Sequence, residues 1–442
     1  MFLNVHVKNF RSLVDFHFDL AEKKNTAKKL ALIYGENGSG KTNVADIFFV
    51  LKETFHTMGF VKALEDFFEN ENMKEVSRDK FRTFRSKVFD LEAVIKEAKT
   101  IGTEENLYLK FEFQIYHHIG VYTIEFNEER VIYEKLEYLI EKNRGTYFEI
   151  GEDSKYFNPK IFVGKKYLEE LSEMTEKFWG KHTFLSLIFF EQIQKNEAYF
   201  SKNIHDNFHK ITSFFLTFLC SVKAGSGKKR AFIGTTLPLN GDFLKGQVAL
   251  NKINELDMAE EVLEHIFTNL YPDIKSLYYV RKETDEQAIE YQLYAKKLIG
   301  SKIRRIPFQR ESTGTRNILN LLSPLLMAMQ GTTVILDEFD TGIHDVLIKN
   351  IFEELEVAIK GQIIMTTHNT LLLESDVENK YLYILTTDAE GNKELHSLDK
   401  YDLRAHKNNN RRAQYLKGMY EGVPSVGQID FNLIVDQLND KD

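Results

Sequence analysis

One stretch of the sequence decides the fold, and it reads Gly35-Glu36-Asn37-Gly38-Ser39-Gly40-Lys41-Thr42. It fits the pattern G-x-x-x-x-G-K-[ST], in which glycines allow a tight turn that brings backbone N–H groups around a polyphosphate. Lys41 supplies a charge for the β- and γ-phosphates, and Thr42 supplies a hydroxyl for Mg²⁺. The stretch therefore predicts a P-loop that binds the phosphates of a nucleotide.

The sequence on either side of the loop agrees with this prediction. Residues 30–34 form a short apolar run that is typical of a buried strand, and residues 42–54 carry apolar side chains at helical spacing. The loop would then lie between a strand and a helix N-terminus, where the helix dipole favours an anion. Asn43, in the first turn of this helix, joins the predicted nucleotide-binding residues. The alternative, a chance glycine-rich turn, does not explain this order of strand, loop and helix.

A pair of acidic residues follows a second apolar run. Residues 332–336 read as a buried strand, and Asp337 and Glu338 come directly after it. An aspartate at a strand end opposite a P-loop is a common Mg²⁺ partner, so Thr42 and Asp337 are the predicted metal ligands. Glu338 would orient or deprotonate an attacking water, which a hydrolase requires. Two solvated acids at a strand end are the alternative interpretation.

Two further segments complete the set of predicted nucleotide-site residues. Residues 361–367 predict another strand, and His368 at its end is placed to donate to a γ-phosphate oxygen. Ser312 or Thr313 would cap the apolar helix that follows, and the free N–H groups of such a helix end attract phosphate. Taken alone, His368 reads as a histidine at a core edge and Ser312 as an ordinary cap. Their order along the chain favours a catalytic role for His368 and a nucleotide contact for Ser312 and Gly314.

These motifs resemble those of the ABC-class ATPases, and within that class the soluble chromosome-maintenance and DNA-repair heads rather than the transporters. Residues 337–344 are similar to a Walker B motif followed by a D-loop, and His368 matches the H-switch histidine. The segment around Ser312 and Gly314 resembles a degenerate ABC signature, which lacks the second glycine and the glutamine of the transporter form. The resemblance implies an ATPase that uses ATP and Mg²⁺.

Both ends of the chain carry the same resemblance. Residues 7–12 look like the first strand of these heads, in which an arginine at the position of Arg11 contacts nucleotide phosphate. Residues 415–424 resemble the C-terminal segment of stand-alone bacterial ATPases that are classed as AAA-type but have ABC-like motifs. That group includes the ATPase members of abortive-infection and other phage-defence operons. The middle of the chain carries little of the resemblance.

Two features depart from the pattern of the class. His344 stands where chromosome-segregation heads usually carry aspartate, which puts the contact of the D-loop with a second subunit in question. The glutamine that senses Mg²⁺ and the γ-phosphate has two candidates in this sequence, Gln114 and Gln192.

The composition is that of an ordinary globular protein. Of 442 residues, 43% are hydrophobic and 28% are charged, and the length allows two or three domains. The single cysteine, Cys220, excludes an intramolecular disulfide and a cysteine-cluster metal site, and we expect it to be buried. No apolar run approaches the roughly 20 residues that span a bilayer, and the N-terminus does not read as a signal peptide. We therefore expect a cytoplasmic protein without membrane contacts.

The net charge of −8 argues against a surface evenly coated for nucleic acid, although it is compatible with a local basic groove. Basic clusters occur at residues 223–230 and 296–305, and for both a DNA contact stands against a solvated face. Within the first cluster, residues 225–229 mimic a P-loop. This segment has Lys229 where serine or threonine is required, so we predict an exposed loop instead.

The spacing of the motifs predicts three parts. Residues 1–150 are expected to hold the P-loop and an antiparallel β lobe, since residues 108–126 alternate between apolar and polar. Residues 151–275 show helical apolar spacing and predict a compact helical insertion without coiled-coil heptads. Residues 276–442 would complete the head. The predicted fold class is α/β, a P-loop NTPase of the ABC-ATPase head type with a mixed sheet flanked by helices and interrupted by the insertion.

Three functions are compatible with this prediction. The first is an ABC-class ATPase that serves as sensor or scaffold of an anti-phage defence system, with a separate effector such as a nuclease from the same operon. The second is an ATPase with its own C-terminal nuclease domain, which the short segment after His368 disfavours. The third is a DNA-associated repair or chromosome-maintenance clamp, which the lack of long coiled-coil arms disfavours. We favour the first and keep the third as the alternative.

The favoured hypothesis includes partners. We expect a homodimer or higher homo-oligomer in which ATP is sandwiched between heads, so that Ser312 and Gly314 contact the nucleotide of the opposite subunit. We also expect residues 155–270, with the basic residues Lys228 to Arg230, to dock the effector protein or nucleic acid.

Overall fold

The computed structural model describes residues 1–69, 90–195, 197–223, 229–232, 242–284, 288–401, 410–423, 430–432 and 434–435. The strands are β1 (Phe2–Phe10), β2 (Leu13–Asp19), β3 (Ala21–Lys23), β4 (Thr26–Ala27), β5 (Leu30–Tyr34), β6 (Leu107–Ile115), β7 (His118–Phe126), β8 (Val131–Ile140), β9 (Asn143–Gly151), β10 (Lys155–Phe157), β11 (Leu219–Lys223), β12 (Lys229–Phe232), β13 (Lys245–Ala249), β14 (Ile274–Glu283), β15 (Ala288–Ile299), β16 (Lys302–Pro307), β17 (Thr333–Leu336), β18 (Gln362–Thr366), β19 (Leu382–Thr387) and β20 (Lys393–Ser397). The α-helices are α1 (Lys41–Glu69), α2 (Leu91–Ala98), α3 (Lys165–Phe178), α4 (Phe184–Gln194), α5 (Glu197–Asn203), α6 (Asp206–Thr217), α7 (Ile253–Leu270), α8 (Thr313–Met329), α9 (Asp345–Ala358) and α10 (Arg411–Leu416).

The first sheet is antiparallel throughout, in the order β10-β9-β8-β7-β6-β1-β2. Buried and partly exposed side chains alternate along β6, because successive side chains of a strand point to opposite faces of the sheet. The buried face shares a hydrophobic core with α1 and with helices α3 to α6. The predicted antiparallel lobe is therefore present, and it covers one side of the helix that follows the P-loop.

The second sheet carries the strands that precede the motifs. Its order is β12-β11-β17-β18-β5-β19-β20, with parallel pairing from β11 to β19 and antiparallel edge strands. Every residue of β5, β17 and β18 is buried, as expected for strands covered on both faces. The three predicted strands are thus observed, two of them slightly shorter than expected. Because the carboxyl ends of parallel strands meet at one edge of a sheet, the P-loop, the acidic pair and His368 come to the same edge.

Residues 151–275 differ from the predicted helical insertion. Helices α3 to α7 are present, but strands β10 to β13 also lie in this range. Strand β11 belongs to the second sheet, where Cys220 is aligned with Ile335 of β17, and the thiol is buried as expected. The prediction was wrong because the apolar run 214–220 has no period that separates a buried helix from a buried strand. In the structure, α6 ends at Thr217 and β11 begins at Leu219.

A third sheet packs on α7. Its order is β13-β15-β14, and β16 pairs with β15 outside that path. One face of β14 and β15 contributes to a hydrophobic core that includes α7, α8 and α9. Residues 298–305, at the turn end of the hairpin formed by β15 and β16, are not part of this core.

Strand β5 lies between two hydrophobic cores. Ala31 and Ile33 belong to the core under the first sheet, whereas Leu30, Leu32 and Tyr34 belong to the core that includes α7, α8 and α9. Burial on both faces holds this strand in one place, and the P-loop starts at its end. No helix among the described residues is long and apolar enough to cross a membrane.

Candidate nucleotide site

The P-loop connects the end of β5 to the first turn of α1. Gly38 and Gly40 have φ angles of 82° and 107°, in a backbone region that favours glycine. The Ser39 N–H donates to the carbonyl of Glu36 at 3.2 Å, which closes the turn. The backbone thus has the tight turn that the sequence predicts, with the helix N-terminus directly behind it.

A buried polar atom lies inside the loop. Ser39 Oγ has no hydrogen-bond partner among the described residues, and a Cβ atom added at Gly35 would lie 2.8 Å from it. The neighbouring residues Asn37 and Gly38 are exposed, so the mouth of the loop is open. An unpartnered hydroxyl in a glycine-rich turn at a helix N-terminus fits an anionic ligand such as a phosphate.

Lys41 folds back over the loop. Its Nζ donates to the carbonyl of Gly35 at 2.7 Å and to the carbonyl of Glu36 at 2.8 Å. Burial lowers the pKa of Lys41 to about 8, and the nearby carboxylates of Glu338 and Asp337 oppose this shift. The ammonium group is therefore held in the loop beside the acidic pair, although the two come from distant parts of the chain.

Thr42 and Asp337, the predicted metal ligands, are in contact. Thr42 Oγ1 donates to Asp337 Oδ2 at 3.1 Å, and Thr366 Oγ1 donates to Asp337 Oδ1 at 2.6 Å. The backbone N–H of Asp337 donates to the carbonyl of Ser221 in β11 at 2.9 Å. Both carboxylate oxygens of this buried aspartate are thus oriented by neighbouring hydroxyls. Neither Thr366 nor Ser221 was predicted from the sequence. For Thr366, the available signal was its position two residues before His368.

Glu338 and His368 face each other at the same edge. His368 Nε2 lies 3.1 Å from Glu338 Oε1, and both side chains are partly exposed. Glu338 has a φ angle of 43°, and its N–H donates to Thr366 Oγ1 at 2.8 Å. The next turn is held by Thr367, whose hydroxyl donates to Asp340 Oδ2 at 2.6 Å, and burial raises the pKa of Asp340. The geometry places a carboxylate and an imidazole together at the open end of the site.

The N-terminus of α8 rests on the D-loop of its own chain. Ser312 caps the helix as predicted, and its Oγ accepts the N–H of Thr315 at 3.1 Å. A Cβ atom added at Gly314 would lie 2.8 Å from the carbonyl of Gly342, so only glycine permits this close approach. Asn317 Nδ2 donates to the carbonyl of Thr341 at 2.9 Å. Among the described residues, no hydrogen bond joins Ser312 or the Gly314 backbone to the P-loop.

Comparison with known families agrees with this geometry. Residues 246–374, which contain α8, the acidic pair and His368, match the family described as "AAA domain, putative AbiEii toxin, Type IV TA system". The resemblance predicted from the motifs is confirmed. The chain has the fold of an ABC-like P-loop ATPase. Among proteins with curated descriptions, none matches this sequence.

Solved structures that are similar to this chain include head domains of SMC proteins. The SMC head domain from Thermotoga maritima is 13% identical, with 90% of this chain and 98% of that chain covered and a TM-score of 0.38. The Smc head domain with an extended coiled coil, bound to the C-terminal domain of ScpA and derived from Pyrococcus furiosus, is 12% identical. The superposition covers 95% of this chain and 98% of that chain, with a TM-score of 0.42.

Arg11 lies beside the first turn of α1 and is engaged by carboxylates. Its guanidinium pairs with Asp46 and with Glu97, the latter at 3.3 Å, and Nη1 lies 3.5 Å from Asn43 Oδ1. Asn43 Nδ2 donates to Ser12 Oγ at 2.8 Å. The structure therefore brings Arg11 and Asn43 next to each other, with the arginine held against acidic side chains of the protein itself.

The two glutamine candidates lie in other surroundings. Gln114 Oε1 accepts the N–H of Ala27 at 2.9 Å, and its Nε2 donates to the carbonyl of Tyr116 at 2.8 Å, so it closes an end of the lobe. Gln192 lies on α4 with a buried Oε1 that has no partner among the described residues. Within the part of the chain that the structure describes, no hydrogen bond joins either glutamine side chain to the P-loop. His344, which stands where chromosome-segregation heads usually carry aspartate, caps α9 by accepting the N–H of Val346 at 3.3 Å.

The C-terminal segment packs against the base of the loop. The rings of Tyr34, the last residue of β5, and Tyr415 of α10 lie 6.2 Å apart, and Tyr415 donates its hydroxyl to the carbonyl of Gly422 at 2.8 Å. In the predicted partner-docking region, Lys228 lies outside the described residues. The backbone of Lys229 and Arg230 forms part of β12.

Proposed function

We propose that this chain binds ATP together with Mg²⁺ and hydrolyses the nucleotide. The observation that carries the proposal is the convergence of Lys41 and Thr42 with Asp337, Glu338 and His368 at one sheet edge. Three separate strands deliver these groups. A lysine at the phosphates, a hydroxyl and a carboxylate for Mg²⁺ and a residue that orients water are the parts that recur in phosphoryl transfer to water.

Thr42 and Asp337 would hold Mg²⁺, since hydroxyl and carboxylate oxygens are the ligand types that this cation takes. Their oxygens already lie 3.1 Å apart, and Thr366 keeps the carboxylate from rotating. The bound cation would neutralise charge that develops on the phosphates. Removing either ligand should weaken hydrolysis more than it weakens the protein fold, because neither side chain belongs to a hydrophobic core.

Lys41 would exchange its two carbonyl partners for phosphate oxygens. Burial disfavours the charged form of Lys41, and a phosphate beside it would favour that form again. Backbone N–H groups of residues 38–42 at the start of α1 would bind the same phosphates. The loop is thus preorganised for a polyanion, and the lysine is its charged component.

Glu338 would take a proton from the attacking water. His368, at 3.1 Å from Oε1, would hold this carboxylate in place and donate toward the γ-phosphate. The hydrogen bond from the Glu338 N–H to Thr366 ties the base to the same threonine that orients Asp337. One threonine therefore positions both acidic residues relative to each other.

The experiment that tests hydrolysis measures phosphate release from ATP with and without a chelator of Mg²⁺. Lys41→Ala should abolish nucleotide binding and hydrolysis, and chelation should abolish hydrolysis by the unaltered chain. Lys166→Ala, which removes a lysine whose side chain is 91% exposed, is the matched control and should change neither. Hydrolysis that survives Lys41→Ala would show that the P-loop is not the catalytic nucleotide site.

We also propose that the complete site forms between two copies of the chain. Ser312 and Gly314 rest on their own D-loop and make no hydrogen bond to their own P-loop among the described residues, so a second copy is the candidate partner for this helix end. Arg11 would steady phosphate after release from Asp46 and Glu97. A homodimer with ATP between the heads, or a higher homo-oligomer, is the assembly that we expect.

For the biological role, we propose the sensor or scaffold subunit of a bacterial anti-phage defence system, acting with a separate effector such as a nuclease. The support is the family description matched by residues 246–374, which names an abortive-infection toxin class. Co-purification with the products of adjacent genes, with and without ATP, and phage challenge of the operon test this role. Protection by this chain alone would contradict the effector model, and a DNA-repair defect without any effect on phage would favour the alternative, a DNA-associated clamp.

A further inference from the structure

The hairpin of β15 and β16 projects from the body of the protein. All eight residues from 298 to 305 are exposed. Because alternate side chains of a strand point to opposite faces, an unbroken exposed run means that neither face is covered. The turn has two residues, Gly300 and Ser301, with φ angles of 55° and 61°, which is the type I′ geometry that continues the twist of a two-stranded ribbon.

The charge of this ribbon is opposite in sign to that of the chain. No acidic residue occurs between Glu290 and Glu311, whereas the net charge of the whole chain is −8. Lys302, Arg304 and Arg305 are exposed, and none of them forms an ion pair within the part of the chain that the structure describes. Unpaired cations gathered on one projecting element are a site for a polyanion rather than part of the internal ion-pair network.

The cations lie on both faces of the ribbon. The register aligns Arg305 with Lys296 and Arg304 with Lys297, so the two neighbouring arginines point to opposite sides. Lys296 Nζ lies over the ring of Tyr278 at 5.4 Å. A ligand with a flat anionic surface would contact cations on one face of the ribbon only. Cations on both faces fit a ligand that presents phosphates on each side of the ribbon.

We propose that the β15–β16 hairpin is a binding element for duplex DNA and enters the major groove with its turn first. Beyond the row of Arg304 and Lys297, the two exposed pairs Leu298–Ile303 and Ile299–Lys302 and the two-residue turn extend about 10 Å at the rise of a strand, which exceeds the groove depth of about 8.5 Å. A two-stranded ribbon fits a groove that is about 12 Å wide, with a phosphate backbone on either side. Arg304 and Arg305 would then contact opposite backbones.

Exposed aliphatic side chains at the tip support this orientation. Leu298, Ile299 and Ile303 are 43%, 41% and 63% exposed. In a major groove, these apolar side chains would contact base edges such as the thymine methyl group. Duplex RNA has a deep, narrow major groove that side chains cannot enter, so the proposal is specific to DNA.

The base of the ribbon is fixed to the nucleotide-site helix. Lys297 Nζ donates to both carboxylate oxygens of Glu311, at 2.8 Å and 3.1 Å, and lies 3.3 Å from Asp273. Glu311 directly precedes Ser312, the cap of α8.

DNA binding by this hairpin does not depend on ATP hydrolysis, since the hairpin lies outside the nucleotide site.

The test is fluorescence anisotropy of the full chain with a labelled DNA duplex over a series of salt concentrations. Single-stranded DNA of the same sequence and duplex RNA are the comparison ligands. The double substitution Arg304→Gln with Arg305→Gln should weaken duplex binding roughly tenfold or more. It should also reduce the slope of log affinity against log salt by about two, because each arginine would neutralise one phosphate.

The matched control is Lys142→Gln with Arg144→Gln at the turn between β8 and β9, which removes two exposed cations outside residues 155–270 and changes the net charge equally. It should bind duplex DNA as the unaltered chain does. Equal affinity of the hairpin variant and the control would overturn the proposal, as would tighter binding of single-stranded DNA or RNA. Thermal unfolding of both variants serves to confirm that the fold is intact.

Discussion

At the scale of single residues, Glu338 shows how the backbone aims a side chain. Its φ angle of 43° is unusual for a residue with a Cβ atom, and hydrogen bonds on both sides hold it there. The N–H donates to Thr366 and the carbonyl accepts the hydroxyl of Thr341 at 3.1 Å. The conformation directs the carboxylate toward His368 and away from the buried aspartate before it. A strained backbone supported in this way is common at functional sites.

We expect Glu338→Gln to bind ATP as the unaltered chain does and to hydrolyse it at least a hundredfold more slowly. The substitution keeps the size of the side chain and removes only its capacity to accept a proton, which contributes about 10² to 10⁴ in rate. Nucleotide binding by calorimetry and phosphate release separate the two effects. Glu353→Gln, on the surface of α9, is the control, and hydrolysis at the normal rate by Glu338→Gln would mean that another group activates the water.

Glu134 is a buried carboxylate outside the nucleotide site. It lies on β8 and accepts hydrogen bonds from the Tyr122 hydroxyl, from Trp179 Nε1 and from the N–H groups of Phe184 and Leu185 at the start of α4. Burial raises the pKa of Glu134 to about 7, although these donors oppose the shift. The carboxyl group thus joins the lobe to α4 and retains its proton more readily than in the unfolded chain.

This pKa predicts the sign of a pH effect on stability. Between about pH 4.5 and 7, the Glu134 carboxyl group is protonated more in the folded state than in the unfolded state. The contribution of Glu134 to the free energy of unfolding therefore falls as the pH rises through that range. Glu134→Gln cannot titrate, and its stability relative to the unaltered chain should rise by about 2 kcal/mol from pH 5 to pH 8. Urea unfolding at both pH values measures this difference. Glu129→Gln, in the exposed turn before β8, should show no such change.

At the scale of elements, the ion pair of Lys297 and Glu311 joins a hairpin to a helix. The carboxylate side chain is only 3% exposed, and the lysine side chain is 21% exposed. Burial of the carboxylate is stabilised by two hydrogen bonds from the ammonium group. Because Glu311 precedes the cap of α8, the pair sets where that helix begins relative to β15.

Lys297→Met should lower the free energy of unfolding by about 2–3 kcal/mol, because it leaves a buried carboxylate without its charged partner. The double substitution Lys297→Met with Glu311→Gln should recover most of that decrease, since no unpaired charge then stays buried. Urea unfolding of the four proteins of this double-mutant cycle gives the interaction energy. Additive effects of the two substitutions would show that the pair contributes nothing to stability.

At the scale of the whole molecule, the position of α8 leads to a prediction about assembly. If Ser312 acts on the nucleotide of a second copy, hydrolysis per chain should fall on dilution. Ser312→Arg should abolish hydrolysis while each chain still binds ATP, because its own P-loop is untouched. Phosphate release over a range of protein concentrations, with sedimentation to follow dimer formation, measures both effects.

Mixing two inactive variants provides the sharper form of this test. Lys41→Ala lacks a working P-loop and Ser312→Arg lacks a working helix end, so a mixed dimer would contain one complete site. Part of the hydrolytic activity should therefore return on mixing, in proportion to the mixed dimers formed. An unaltered chain that is fully active as a monomer at high dilution, or mixtures that stay inactive, would contradict the shared site.

Much of the nucleotide site could be predicted because each of its parts is local. A P-loop needs residues of fixed type at fixed spacing, and an apolar run before Asp337 or His368 is sufficient to indicate a buried strand end. The supporting residues could not be predicted in the same way. Thr366 orients Asp337 from a neighbouring strand, and Gln362, with hydrogen bonds to Phe2 and to the carbonyl of Lys28, joins strands that are distant in sequence.

The sequence by itself determined which chemical groups the nucleotide site contains. The P-loop glycines, the lysine and the hydroxyl follow from residue identity, and the position of the acids at a strand end follows from the apolar run before them. Only the tertiary structure decided where the middle of the chain belongs. Residues 219–223 became a strand of the central sheet because pairing with β17 satisfies their backbone and buries Cys220, and no local pattern specifies that partner. The same is true of the basic cluster at 296–305. Its charges are visible in the sequence, but their exposure on both faces of a projecting hairpin depends on what the rest of the fold leaves uncovered.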